Sequence, residues 1–200
     1  MRYTYGMRFP PLSRREALIT LAAAVAAPLA LAEPAPPAGG SARYHIELLA
    51  FRQPGELPAP QPQEPLTAGS TAAGRVALIP DGDWQLGGVA RSLTQRGFAL
   101  VTHTAWYAIV PPNGRTTAHL EELLSPDTPL AGSVAVQRGQ YLYVGVELDY
   151  RPPTPADHAA PVYSLREKRR VKFGERHYFD NAAFGAIVWI AVPHALPPSG

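Results

Sequence analysis

The stretch from Pro161 to Pro193, PVYSLREKRRVKFGERHYFDNAAFGAIVWIAVP, constrains the fold more than any other part of the chain. Six Lys and Arg residues stand within eleven positions there. Read with a period of two, Arg166, Lys168, Arg170, Lys172 and Arg176 fall on one face. Tyr163, Leu165, Val171 and Phe173 fall on the other, together with Glu167 and Arg169. A strand that buries the apolar set therefore turns a row of cations to water. Such a row is either a docking strip for an anionic polymer or an acidic protein patch, or a solvated face that guards a sheet edge. If the mixed face packs inward, Glu167 and Arg169 need each other or other partners, because unpaired buried charge is costly. Asp180-Asn181 then reads as a turn. Ile187 to Val192, β-branched and closed by Pro193, reads as a buried strand.

The rest of the chain supplies further strands and one helix. Arg43–Gln53 has Tyr44, Ile46, Leu48 and Ala50 on one side and Leu49 and Phe51 on the other, the pattern of a central strand. His45 and Glu47 share the second face and read as paired surface residues. Residues 54–75 carry prolines and hardly any large apolar residue, and read as a disordered insertion. Trp84–Arg96 reads as a helix, with Asp83 as N-cap, Leu86, Val89, Ala90 and Leu93 as its buried stripe, and Gly97 as its stop. Phe98–Val110 reads as a strand; His103 and Trp106, three apart, point to opposite faces. Residues 111–129 read as a loop with a helical turn near His119–Leu124. Leu130–Val136 and Tyr141–Tyr150 form a hairpin, the second arm alternating Leu142, Val144, Val146 and Leu148 with Tyr143, Gly145, Glu147 and Asp149. One helix cannot cover both sides of six strands. The expected fold is α+β: a curled, mainly antiparallel sheet of about six strands with one main helix on its concave or inner face.

Arg2, Arg8, Arg14 and Arg15, the apolar run Ala17–Ala27 and the ending Ala30-Leu31-Ala32 make residues 1–32 a signal peptide cleaved after Ala32. The apolar run is too short to span a bilayer. Ser13-Arg14-Arg15 resembles a twin-arginine signal, but Ala17 stands where that signal prefers a large apolar residue, so general secretion is the preferred route. A periplasmic location follows for a Gram-negative host. Export removes four basic residues and one acidic, leaving 14 basic against 15 acidic, a net charge of about −1 that argues against nucleic acid as partner. Residues 33–42 read as a flexible lead, 43–193 as one domain with a core supported by the 46% hydrophobic content, and 194–200 as a tail. The absence of cysteine excludes a lipid anchor, a disulfide framework and thiol chemistry.

No catalytic motif stands out: there is no HExxH, G-x-S-x-G or phosphate loop, and the six histidines form no i, i+4 pair. The chain is read as non-enzymatic, with no cofactor or metal. In order along residues 43–193, Tyr44–Arg52, His103-Thr-Ala-Trp106, Leu130-Ala-Gly132, Arg138-Gly-Gln-Tyr141-Leu142, Glu167-Lys-Arg169-Arg170 and His177–Gly185 resemble the CsiV family of periplasmic peptidoglycan-binding proteins. The resemblance implies binding of the wall polymer and support of the lipoprotein activator of a class A penicillin-binding protein. It supplies no binding residue. From the residues themselves, the ligand-binding candidates are Arg166, Lys168, Arg170, Lys172 and Arg176 with the aromatics Tyr178 and Trp106. An adaptor that binds only protein is the alternative reading.

Overall fold

The structure, a computed structural model, describes residues 40–59, 76–154 and 161–193. The expected signal peptide, most of the lead, most of the 54–75 insertion and the 194–200 tail lie outside the described residues. Among the described residues the chain forms β1 (Ala42–Arg52), β2 (Val76–Leu78), α1 (Gly87–Gln95), β3 (Ala99–Val110), β4 (Arg115–His119), β5 (Leu130–Arg138), β6 (Leu142–Tyr150), β7 (Tyr163–Val171), β8 (Arg176–Asp180) and β9 (Phe184–Ala191). The strands make two antiparallel sheets, one of five in the order β2-β3-β1-β9-β8 and one of four in the order β4-β5-β6-β7.

Two sheets thus replace the expected sheet of about six strands. The physical reason lies in three segments. β2 and β4 are three and five residues long, too short to show a period. The basic stretch is two strands and not one: β7 ends at Val171, the chain turns, and β8 starts at Arg176 in the other sheet.

β1 explains the layering. It lies between β3 and β9, as its two apolar faces predict. Tyr44, Ile46, Leu48 and Ala50 enter the core between the sheets, with Trp106, Ala108, Val188 and Ile190 from the same sheet and Val134, Val136, Val144, Val146 and Leu148 from the other. Leu49 and Phe51 point to the opposite side and are also fully buried. Each such side chain contributes about 1.5–3 kcal/mol. A strand with this pattern needs cover on both faces; the four-stranded sheet gives one and α1 the other. The helix therefore lies outside the sandwich and not on a concave inner face.

α1 is shorter than its sequence pattern suggests, and its start is capped by a distant residue. Asp83 falls in a 3-10 turn, Asp81–Asp83, and makes no side-chain cap. Glu47 of β1 instead accepts hydrogen bonds from the backbone N–H of Gln85 and of Leu86, each at 2.7 Å. At the other end Gly97 adopts φ +84°, with Phe98 N–H donating to Leu93 O and Gly97 N–H to Thr94 O. That is the Schellman arrangement, and it confirms Gly97 as the stop.

Candidate functional site

The four-stranded sheet turns its outer face to solvent, and the register sets which side chains meet there. On β7, Arg170, Lys168 and Arg166 stand opposite Tyr143, Gly145 and Glu147 of β6. These in turn stand opposite Gln137, Ala135 and Ser133 of β5, and β4 adds Arg115 beside Gln137. The pair Ala135 and Gly145, adjacent on β5 and β6, has almost no side-chain bulk. Its neighbours on either side are long, so a trough forms with Gly145 and Ala135 as its floor. Arg115, Gln137, Tyr143, Glu147, Arg166 and Lys168 line the trough around that floor. Its volume is about 270 Å³, below the roughly 300–1,000 Å³ usual for a cleft that encloses a small molecule. The trough suits a segment of something larger.

Its charges are held to different degrees. Arg166 Nη2 donates to Asp149 Oδ1 at 3.0 Å, and the Ser164 hydroxyl donates to the same oxygen. Asp149 is buried, so Arg166 is a fixed post. Arg115 reaches Glu147 only at 3.8 Å, between half-exposed side chains. Lys168 donates to the neutral Gln137 Oε1 at 2.6 Å and lies over the Tyr143 ring at 5.3 Å. Arg170 lies over the Tyr141 ring with its Cζ 3.5 Å from the centroid.

Arg166, Lys168 and Arg170 therefore share an exposed face, but the five-residue strip does not extend further. Lys172 lies in the turn after β7 and pairs with Glu175 at 3.4 Å. Arg176 is on β8 in the other sheet, opposite Trp189. Tyr178 also sits on β8, stacked on Phe51; burial, with the Asp180 charge, pushes its phenol pKa well up. Trp106 is fully buried between the sheets, so its ring offers no surface to a ligand. Glu167 and Arg169 pair with each other, and Arg169 lies over Phe179 of β8 at 4.5 Å. Both remain more than a third exposed, because β7 is an edge strand.

Sequence reasoning missed Arg115, Gln137, Tyr141, Tyr143, Gly145 and Glu147. The signal for three of them was present. Tyr143, Gly145 and Glu147 form the outer face of an alternating strand, and a glycine within a strand marks a place where something can approach the backbone.

One pair looks catalytic and is structural. Glu47 is fully buried, against the expectation of a surface residue, and its partner is His103 at 2.6 Å, not His45. Trp84 packs on the His103 ring with centroids 4.4 Å apart. Both Glu47 oxygens are occupied by the start of α1, so this carboxylate is a cap. His45 lies between the rings of Tyr107 and Trp189, and burial lowers its pKa. Among the described residues no group of three His, Cys, Asp or Glu side chains could hold a metal ion, and no helix is long and apolar enough to cross a membrane.

Fold and face together describe a β-rich protein whose four-stranded sheet carries an open, shallow outer face with several exposed cations. A family model described as peptidoglycan-binding protein, CsiV, matches residues 17–192. The chain belongs to that family. No curated protein and no solved structure matches it.

Proposed function

We propose that this chain is a non-catalytic periplasmic protein that binds peptidoglycan on the outer face of its four-stranded sheet. The family match carries the choice of polymer. The position of the surface is supported by the trough, where Arg115, Arg166 and Lys168 converge on a face that no other described strand covers. The wall is a long, hydrated, anionic polymer, and an open face with a positive field can take hold of it anywhere along its length.

In this reading residues 1–32 direct export and are removed after Ala32, and residues 43–193 are the binding domain. The protein supports wall synthesis beside the lipoprotein activator of a class A penicillin-binding protein; the motif resemblance supports that partner. Lys172, Arg176 and Tyr178 stand outside the trough and are assigned no contact with the polymer. Pelleting with purified sacculi tests the function. Retention of the folded protein supports it, whereas a protein that stays in the supernatant at low salt is an adaptor that never touches the wall.

A further inference from the structure

The trough also bears on which part of the wall it reads. Peptidoglycan offers sugar rings, which proteins bind by laying them on aromatic faces, and peptide stems, which end in free carboxylates. We propose that the trough binds the stem carboxylates, with Lys168 as the anchoring cation and Gly145 as the floor on which the peptide rests. This inference depends on the wall-binding reading and makes it specific.

Three observations support it. First, the rings beside the trough already bear protein cations: Arg170 over Tyr141 and Lys168 over Tyr143. A sugar would have to displace a cation to stack there. Second, the lining charges are unequally engaged. Arg166 is held by Asp149, Glu167 is paired with Arg169, and Arg115 meets Glu147 only loosely. Among the described residues, Lys168 is the lining cation with no carboxylate partner, since its hydrogen bond goes to an amide. A ligand carboxylate can thus take a charge-assisted bond from Lys168 without breaking an ion pair, and the Arg115 fork can turn from Glu147 to a second oxygen. Third, Gly145 leaves the backbone open. A Cβ built there would meet its nearest atoms, Cβ and Cγ of Lys168, only at 3.9 Å, so packing does not require the glycine. Open space is what a peptide backbone crossing the strands needs.

The test compares native sacculi with sacculi whose carboxylates have been converted to amides by carbodiimide and ammonia, which leaves the sugars unchanged. Full-length mature protein should pellet with native sacculi and at least tenfold more weakly with the amidated ones. A soluble tetrapeptide stem with free carboxylates should release it and shift the backbone resonances of Tyr143 and Gly145. Lys168→Gln should weaken binding of that peptide by about tenfold, and Gly145→Asp, which places a negative charge on the floor, should remove it while the melting temperature holds. Equal retention on native and amidated sacculi would overturn the inference and leave wall binding standing. No retention on native sacculi would overturn the wall-binding reading. A soluble stem that leaves the Tyr143 and Gly145 resonances unmoved would overturn the assignment of the trough.

Discussion

Removing the Glu47 carboxylate should unfold the start of α1 and cost much of the protein's stability. The perturbation is Glu47→Ala, with Glu47→Gln as the conservative partner. Glu47 is fully buried and accepts from Gln85 N–H and Leu86 N–H at 2.7 Å, with His103 Nε2 at 2.6 Å. A hydrogen bond to a charged group is worth about 1.5–3 kcal/mol net, and a buried donor left without a partner costs about 1–3 kcal/mol. The three bonds act as one unit and are not additive, so the expected loss for Ala is about 3–5 kcal/mol, below the plain sum of the three. Gln keeps one carbonyl oxygen for one N–H but turns an amide donor toward the other, and should lose about 1–3 kcal/mol. At roughly 2–4 °C per kcal/mol for a protein of this size, the Ala variant should melt well below the parent. Hydrogen exchange of the α1 amides reads the same event locally. If Glu47→Ala keeps its melting temperature and Leu86 N–H stays protected, the carboxylate does not cap the helix.

Three further predictions follow from the same structure. Arg169→Ala should cost only about 1–2 kcal/mol in denaturant titration, because its pair with Glu167 is more than a third exposed and what it adds is contact with the Phe179 ring; a loss above 4 kcal/mol would mean the pair is sealed from water. Gly132→Ala should be strongly destabilising, since Gly132 holds φ +118° and a Cβ there would lie 2.0 Å from Glu147 O; a variant of parental stability would show that β5 bends elsewhere. His45 has a folded-state pKa below its ordinary 6.5 because burial disfavours the charged ring, with Glu47 and Asp83 partly opposing. Below pH 6.5 the unfolded chain then binds the proton first, so stability should be full above that value and fall as pH drops toward the lower folded pKa. His45→Phe should flatten that decline, and an unchanged slope between pH 7 and 5 would refute it.

The sequence made the local pattern readable and left the tertiary consequences hidden. β1 was legible as a central strand because both its faces are apolar, and β5 and β6 because they alternate around a turn. The split of the basic stretch was not legible. Arg176 keeps the parity of Arg166, yet the turn between Val171 and Arg176 moves it to another sheet. Glu47 could not be read as a cap, since the Leu86 N–H it holds lies 39 residues later and meets it only through folding. The trough draws on four strands, and which residues face each other depends on register. From the sequence alone, Lys168 and Gly145 are residues on two different strands. In the structure they are partners, and one forms the wall above the floor made by the other.

Register also changes which variant tests the central claim. Arg166 is tied to buried Asp149, so replacing it would disturb the fold together with the surface. Arg115→Gln, Lys168→Gln and Arg170→Gln combined remove positive charge from the outer face and leave that pair intact. The decisive measurement is pelleting with purified sacculi, parent against this triple variant, in low and high salt. The parent should be retained at 0.1 M salt and released toward 1 M, as the screening length falls from about 10 Å to about 3 Å. The variant should melt at the parental temperature and stay in the supernatant throughout. A folded variant that pellets as well as the parent at low salt would contradict the account and place the wall-binding surface elsewhere on the molecule.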